Sequence, residues 1–208
     1  MRVVLLSGGG GGARFARGLA DVLEPGELTV VGNVGDDLEI LGLHVSPDLD
    51  SLLYTLGGLI DGERGWGRSG ETWNALESAG SFGGEVWFRL GDRDIGLHLV
   101  RTHALRSGAR LSEVTAHLSE HVGIATHIVP ATDDPLRTHV LTPAGRFAFQ
   151  EWFVGRRNDV RPNSGVLREL GGHLGQTRAR AQRLRPHEVQ SEVAVPESEP
   201  DLPAEAPR

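Results

Sequence analysis

The feature that most constrains the fold is a short apolar segment, residues 3–6, that leads through Ser7 into the consecutive glycines Gly8 to Gly12. Apolar residues with helical spacing follow over residues 13–23, and a second apolar run covers residues 28–31. A continuous apolar run is typical of a strand that is buried on both faces of a parallel sheet. The order strand, glycine turn, helix and strand therefore predicts an α/β fold, Rossmann-like, with helices on both faces of a mostly parallel sheet.

Later segments continue this alternation up to about residue 161. Ser46 and Pro47 are typical of a helix start, as N-cap and first helical residue. The patterns predict helices over residues 47–56, 95–105 and 114–121, strands over 86–88 and 124–129, and a β-hairpin from 138–141 and 147–154. We therefore assign residues 1–161 to one domain.

The composition changes after residue 161. Residues 165–185 are rich in arginine and predict at most a short helix, and residues 188–208 are acidic and rich in proline. A segment with so few large apolar side chains does not bury enough surface to offset its ordering entropy. We expect residues 162–208 to form an atypical, largely disordered tail.

Charge and residue usage exclude several classes of protein. The formal net charge of -7 argues against a nucleic-acid-binding protein, because such proteins present a basic face. The absence of cysteine excludes disulfides, thiolate metal sites and thiol nucleophiles. No apolar run approaches the length of a membrane span, so we expect a cytoplasmic protein with no membrane partner.

The glycine turn is the first candidate binding site. Glycines between a strand and a helix let the backbone approach an anion, and the helix N-terminus offers unpaired N–H groups. We expect nucleotide binding at Gly8, Gly9, Gly10 and Gly12, with a plain tight turn as the alternative. A nicotinamide fingerprint is a weaker interpretation, because Asn33 stands where that fold needs a ribose-binding acid.

Acidic residues follow several of the predicted strands or, for Asp48 and Asp50, lie in the first turn of the helix predicted from Ser46. They are Asp36 and Asp37, Asp48 and Asp50, Asp92 and Asp94, and Asp133 and Asp134. Ligand sites of open α/β sheets lie at the carboxyl ends of strands, and carboxylates beside phosphates hold Mg²⁺. The alternatives are that these acids are solvated or complement helix dipoles.

Two further features have open interpretations. The glycine-rich segment around Trp66 and Trp73 is either a lid over a flat ligand or a loop anchored by two aromatic rings. His117 and His121 have the spacing of a helical metal pair, but without a third ligand nearby we interpret them as ordinary histidines.

Taken in order, these segments resemble the 2-phospho-L-lactate transferase family of coenzyme F-420 biosynthesis. The resemblance implies transfer of a phosphoenolpyruvyl or 2-phospho-L-lactyl group from a guanosine diphosphate-linked donor to the deazaflavin Fo, with release of GMP. The chain contains arginine but no lysine. This composition is similar to that of actinobacterial members, which implies the phosphoenolpyruvate type. The implied roles are Fo binding by Asp50 and Arg89, catalysis by Asp50 and Arg93, nucleotide binding by the glycines, Asn33 and Asp36, and Mg²⁺ binding by Asp36 and Asp37.

The sequence departs from that family in one respect. The family continues with a second half that contains a Gly-Pro-Ser-Asn-Pro phosphate loop, and this half is missing here. A shortened homologue without catalytic activity is therefore the alternative to an active transferase, and a homodimer is possible in either case.

Overall fold

The computed structural model describes residues 1–156 and the backbone of one further strand at 166–170. The elements in chain order are β1 (Val3–Ser7), α1 (Gly9–Ala20), β2 (Leu28–Gly32), β3 (Leu38–Ile40), β4 (Leu43–Val45), α2 (Pro47–Leu56), α3 (Asn74–Ser81), α4 (Asp92–Arg106), α5 (Leu111–His121), β5 (His127–Pro130), β6 (Leu136–Thr142), β7 (Gly145–Ala148), a π-helix (Glu151–Gly155) and β8 (Val166–Leu170).

A parallel sheet lies at the centre of the fold, in the order β1-β2-β5. Val3 lies opposite Leu28 and Ser7 opposite Gly32, so β1, α1 and β2 form the βαβ unit that the sequence predicts. Strand β5 continues the sheet on the other side of β2. The prediction of an α/β fold with a parallel sheet is confirmed.

One face of this sheet carries the main hydrophobic core. Leu28, Val30 and Ile128 on the strands pack with buried residues of α1, α2 and α5, such as Ala16 and Leu52. Gly32 is needed for this packing, because a Cβ there would lie 2.5 Å from Leu49 Cδ2. The close approach of β2 and α2 fixes the N-terminal end of α2 beside the glycine turn.

The opposite face of β1 is not covered by the described residues. The side chains of Val4 and Leu6 are 66% and 79% exposed. The expectation that β1 is buried on both faces is therefore wrong for the part of the chain that the structure describes. An apolar run indicates a strand but does not show how many of its faces are covered.

Several local predictions need correction. Residues 86–88 are not a strand; Trp87 and Phe88 instead pack edge to face, with ring centroids 5.6 Å apart. The β3–β4 hairpin was missed because Leu41 has φ +50° in its turn, where Asn, Asp or Gly is the usual signal. The helix at α3 was also not predicted.

The last described elements form a second sheet, in the order β7-β6-β8 with antiparallel pairing. The predicted β-hairpin is confirmed as β6 and β7, although β7 ends at Ala148. The short helix expected from residue 165 begins instead as strand β8, paired with β6. Strand β8 thus lies within the segment that was expected to be a largely disordered tail, and the rest of that segment lies outside the described residues. Among the described residues, no helix has the length and apolar character needed to span a membrane.

Candidate functional site

The glycine turn forms the beginning of α1. Gly9 has φ +63°, a conformation that glycine adopts without strain. Its backbone N–H donates a hydrogen bond of 2.8 Å to Asp48 Oδ1. Asp48, at the start of α2, therefore occupies one of the anion positions at the N-terminus of α1, across the interface between the two helices.

Asp48 also joins the glycine turn to Asn33. The Nδ2 group of Asn33 donates to Asp48 Oδ2 at 2.8 Å, and its Oδ1 accepts from the backbone of Gly35 at 3.0 Å. These contacts position Asn33 beside Gly8, Gly9 and the start of α1. The structure thus brings together the glycine turn and Asn33, as the sequence predicts.

The space above the first turn of α1 is open in the described part of the chain. A Cβ at Gly9 or Gly11 would meet no atom within 4 Å, and one at Gly10 would meet only the carbonyl oxygen of Gly65, at 4.0 Å. A side chain on any of these residues would enter that space. Backbone N–H groups, the positive end of a helix dipole and free space together suit a phosphate group.

Asp37 is held by side chains at the end of β4 and the start of α2. Asp37 is buried, and its Oδ2 accepts a 2.8 Å hydrogen bond from Ser46 and lies 3.1 Å from His44 Nε2. Burial raises the pKa of Asp37 above its usual value. No group of three potential metal-ligand side chains occurs among the described residues, and Mg²⁺ binding by Asp36 and Asp37 stays a prediction.

Asp50 faces the protein interior rather than a cleft. Its carboxylate pairs with Arg101, which is fully buried, through both terminal guanidinium nitrogens. His98 lies beside them, with Nδ1 3.3 Å from Arg101. Arg101 thus contacts both carboxylate oxygens of Asp50, and the implied roles of Asp50 in Fo binding and catalysis stay predictions.

A second buried carboxyl group contacts α2 one helical turn beyond Asp50. Asp94 on α4 accepts a 2.6 Å hydrogen bond from the hydroxyl of Tyr54 on α2. Burial raises the pKa of Asp94 to about 6, and burial lowers the pKa of His98 to about 4. The interface between α2 and α4 therefore contains one acid, Asp94, and one base, His98, whose charged forms are both disfavoured by desolvation.

The acidic loops do not converge on one crevice. Asp48, Asp92, Asp133 and also Glu71 each cap the N-terminus of a helix that is distant in sequence. Asp48 caps α1, Asp92 accepts from the backbone of Ala75 in α3, Glu71 accepts from Arg93 and Asp94 in α4, and Asp133 accepts from Ser112 in α5. The carboxylates thus satisfy first-turn N–H groups that lack partners within their own helices.

Arg89 lies on the surface in a row of alternating rings and guanidinium groups. Its Cζ is 4.4 Å from the centroid of Trp73, and Arg64 lies 5.4 Å from the same ring and 5.3 Å from that of Trp66. The row begins beside α1, where Arg14 donates to the carbonyl oxygen of Gly65 at 3.5 Å. This aromatic row connects Arg89 to α1 near the glycine turn.

Arg93 lies near the opposite end of α2 from the glycine turn. Asp94 contacts Tyr54 whereas Arg101 contacts Asp50, so α4 runs antiparallel to α2 and its first turn lies toward the C-terminal end of α2. Arg93 contributes there to the wall of a cavity. The structure does not bring Arg93 together with the nucleotide-binding candidates.

The two histidines of α5 contact each other. The rings of His117 and His121 are 4.2 Å apart, and His121 Nδ1 lies 3.0 Å from the carbonyl oxygen of His117. Within the described residues they belong to no group of three metal-ligand side chains.

Sequence reasoning missed the residues that organise the site. Asp48 was treated as a helix-dipole acid of its own helix, and Arg101 and Glu71 were not singled out. Their partners lie 39, 51 and at least 22 residues away. An arginine within a helix, next to apolar positions, was the only available signal for Arg101.

Comparison with known proteins identifies the family. The sequence profile described as 2-phospho-L-lactate transferase CofD matches residues 3–197. A phosphoenolpyruvate transferase of Nocardia farcinica is 48% identical over 167 residues, which cover 76% of this chain and 50% of the relative. One from Thermobifida fusca is 45% identical over 179 residues, covering 80% and 56%.

A Bacillus halodurans protein of the UPF0052 family superposes with a TM-score of 0.47 at 17% identity, covering 80% of this chain and 50% of that one. The chain spans about half the length of the curated relatives it matches. The family match continues past residue 161, so part of the segment treated as an atypical tail also resembles the family. The chain belongs to the 2-phospho-L-lactate transferase CofD family.

Proposed function

We propose that this chain takes part in the transfer of a phosphoenolpyruvyl group, or a 2-phospho-L-lactyl group, from a guanosine diphosphate-linked donor to the deazaflavin Fo. The observation that carries the proposal is the open first turn of α1, where Gly9 and Gly11 have no neighbour within 4 Å of a Cβ position. Family membership supports the reaction class, and the names of the relatives favour the phosphoenolpyruvate type.

The proposed reaction is a displacement at phosphorus. A ribityl hydroxyl oxygen of Fo forms a bond to the phosphorus atom of the transferred group, and the bond from that phosphorus to the bridging oxygen of GMP breaks. GMP leaves with the electron pair, and the hydroxyl proton passes to solvent. Positioning and charge stabilisation account for most catalysis of this type, because the protein forms no covalent bond to the phosphoryl group.

In this proposal the glycine turn holds the diphosphate of the donor. The backbone N–H groups of Gly10 and Gly11 and the N-terminal end of α1 stabilise the negative charge that develops on the leaving GMP. Asn33 is held by Asp48 next to this turn and borders the same space. Asp50 acts through Arg101 as a positioning residue that fixes α2 against α4, and not as the catalytic base.

The acceptor is proposed to lie along the row of Arg64, Trp66, Trp73 and Arg89. Trp66 is 49% exposed, which leaves an aromatic face free for a flat heteroaromatic ring. Arg89 has no hydrogen bond or ion pair with the described residues and stacks only on Trp73. Its guanidinium is therefore available to a ring oxygen of Fo.

A charge reversal in the glycine turn tests the donor site. Gly11→Asp places a carboxylate in the open space while favouring the helix, because an acid in the first turn complements the dipole. Gly18→Asp adds the same charge to the exposed last turn of α1, where a Cβ would also meet no atom within 4 Å. We expect Gly11→Asp to weaken GDP binding by at least about tenfold, equivalent to roughly 1.4 kcal/mol, and Gly18→Asp to change it less than about twofold. The measurement is isothermal titration calorimetry with GDP.

Two results contradict the donor site. One is equal GDP affinity in Gly11→Asp and Gly18→Asp. The other is the absence of saturable GDP binding by the unmodified chain. Assay with Fo, phosphoenolpyruvate, GTP, Mg²⁺ and the guanylyl-transferring partner enzyme then tests turnover separately from binding.

A further inference from the structure

A cavity with a volume of about 330 Å³ lies at the opposite end of α2 from the glycine turn. Its walls come from the C-terminal half of α2, the first two turns of α4 and the last turn of α5, together with Leu59 and Arg68. Its volume falls at the lower end of the range found for sites that bind small molecules. None of the sequence-predicted site residues except Arg93 contributes to it.

The cavity wall is mostly apolar. Leu53, Leu97, Leu118 and Val122 line it from the three helices. Tyr54 also lines it, but its hydroxyl donates to Asp94 in the protein interior and is therefore occupied. Such a wall favours an aromatic ring or a short hydrocarbon chain, which the hydrophobic effect drives out of water.

Two arginines give the cavity a positive charge. Arg68 and Arg93 both line it, and no aspartate or glutamate does. Within the described residues neither guanidinium makes a hydrogen bond or an ion pair. Arginine side chains without a carboxylate partner beside an apolar wall suit a carboxylate, sulfonate or phosphate group.

Gly96 keeps the cavity open on the side of α4. It lies inside a 15-residue helix, where glycine is less favourable than alanine by about 1 kcal/mol. A Cβ at this position would meet no atom within 4 Å, so close packing does not require glycine here. A larger side chain at residue 96 would extend into the cavity.

We propose that this cavity binds a small amphipathic anion, with an apolar ring or short chain against the leucines and one anionic group at Arg68 and Arg93. The site is separate from the glycine turn, because Asp48 binds Gly9 at one end of α2 whereas the cavity begins at Leu53 and Tyr54. The cavity does not include the glycines that are proposed to hold the phosphates of the donor. The inference does not depend on the proposed transferase reaction.

The test uses 2-naphthoate as probe and the neutral 2-naphthamide as its isostere, titrated into the full chain by calorimetry. Gly96→Leu fills the cavity, and Gly18→Leu is the matched control on the exposed surface of α1. Arg68→Gln combined with Arg93→Gln removes the charge, and Arg106→Gln is its control at the other end of α4. Leucine is a better helix former than glycine, so both leucine variants are expected to fold.

We expect the unmodified chain to prefer naphthoate over naphthamide by about fivefold or more, equivalent to roughly 1 kcal/mol. Gly96→Leu is expected to weaken naphthoate binding at least about tenfold and Gly18→Leu less than about twofold. The variant with both Arg68→Gln and Arg93→Gln should bind naphthoate and naphthamide equally, whereas Arg106→Gln should keep the preference for naphthoate. No saturable binding, equal binding by the two leucine variants, or a charge preference that survives the double variant would each overturn the proposal.

Discussion

The guanidinium of Arg101 and the carboxylate of Asp50 form a two-point ion pair that fastens α4 to α2 in the protein interior. Arg101 is completely shielded from solvent and Asp50 is 6% exposed. One of the two contacts, from Nη1 to Oδ2, is 3.3 Å long. An ion pair at this depth depends on both partners, because each charge compensates the desolvation of the other.

We expect Asp50→Ala to lower the free energy of unfolding by about 3–5 kcal/mol, since it leaves the Arg101 charge buried without a partner. Urea denaturation followed by circular dichroism measures this change. The control is Glu113→Ala, which removes the partner of Arg110 in a solvent-exposed pair and should change the midpoint far less. A near-neutral Asp50→Ala would show that Arg101 finds another partner or water.

Asp94 and His98 should influence stability in opposite directions as pH changes. The folded pKa of Asp94 is raised to about 6, so its contribution to stability is lost as pH rises from its unfolded pKa toward 6. The folded pKa of His98 is lowered to about 4, so the folded protein loses stability as pH falls from 6.5 toward 4, because the imidazole is protonated in the unfolded state and still neutral in the folded state. Between pH 4 and 6 the two effects oppose each other.

Single substitutions should separate the contributions of Asp94 and His98 to the pH dependence of folding stability. Relative to the unmodified chain, Asp94→Asn should gain stability as pH rises from 4 to 6, by at most about 1.4 kcal/mol per pH unit. His98→Asn should lose relative stability over the same range. Unfolding midpoints measured at several pH values check both signs, and parallel curves for all three proteins would contradict the assignment.

Gly32 and Gly18 provide a matched test of packing. Gly32→Ala places a Cβ 2.5 Å from Leu49 Cδ2 in the core, so we expect a loss of about 1–3 kcal/mol in unfolding free energy. Gly18→Ala enters open space in α1 and should stabilise by about 0.5–1 kcal/mol. Thermal unfolding distinguishes them, and a loss in both variants would indicate that α1 does not tolerate side chains at residue 18.

Arg89→Ala should weaken Fo binding more than it weakens GDP binding. Its guanidinium stacks on Trp73 and has no hydrogen bond or ion pair within the described residues, so its removal costs the chain little. We expect roughly tenfold weaker Fo binding, in fluorescence titration, from loss of one charge-assisted contact of about 1.4 kcal/mol. Arg106→Ala is the control, and unchanged Fo affinity in Arg89→Ala refutes the acceptor position.

Leu6 and Leu49 should respond differently to truncation. Leu6 is largely exposed on the uncovered face of β1, so Leu6→Ala should change stability by less than about 0.5 kcal/mol. Leu49 is fully buried, and Leu49→Ala should cost about 2–5 kcal/mol. Sedimentation velocity should also show less self-association in Leu6→Ala if that apolar face mediates it.

The sequence alone determined the local framework. The run of residues 3–6, the glycines and residues 28–31 correctly predict β1, α1 and β2, because strand and helix periodicities and the glycine turn are properties of neighbouring residues. Ser46 and Pro47 likewise mark the start of α2. The ordered series of motifs also led to the correct family.

Tertiary structure decided what the charged residues do. Asp48, Asp92 and Asp133 lie in predicted acidic loops, yet each caps a helix that is distant in sequence. Asp50 pairs with Arg101, a partner 51 residues away. Which hydrogen-bond donor meets which carboxylate depends on how helices pack across the sheet, and that packing is fixed by long-range contacts that no local pattern encodes.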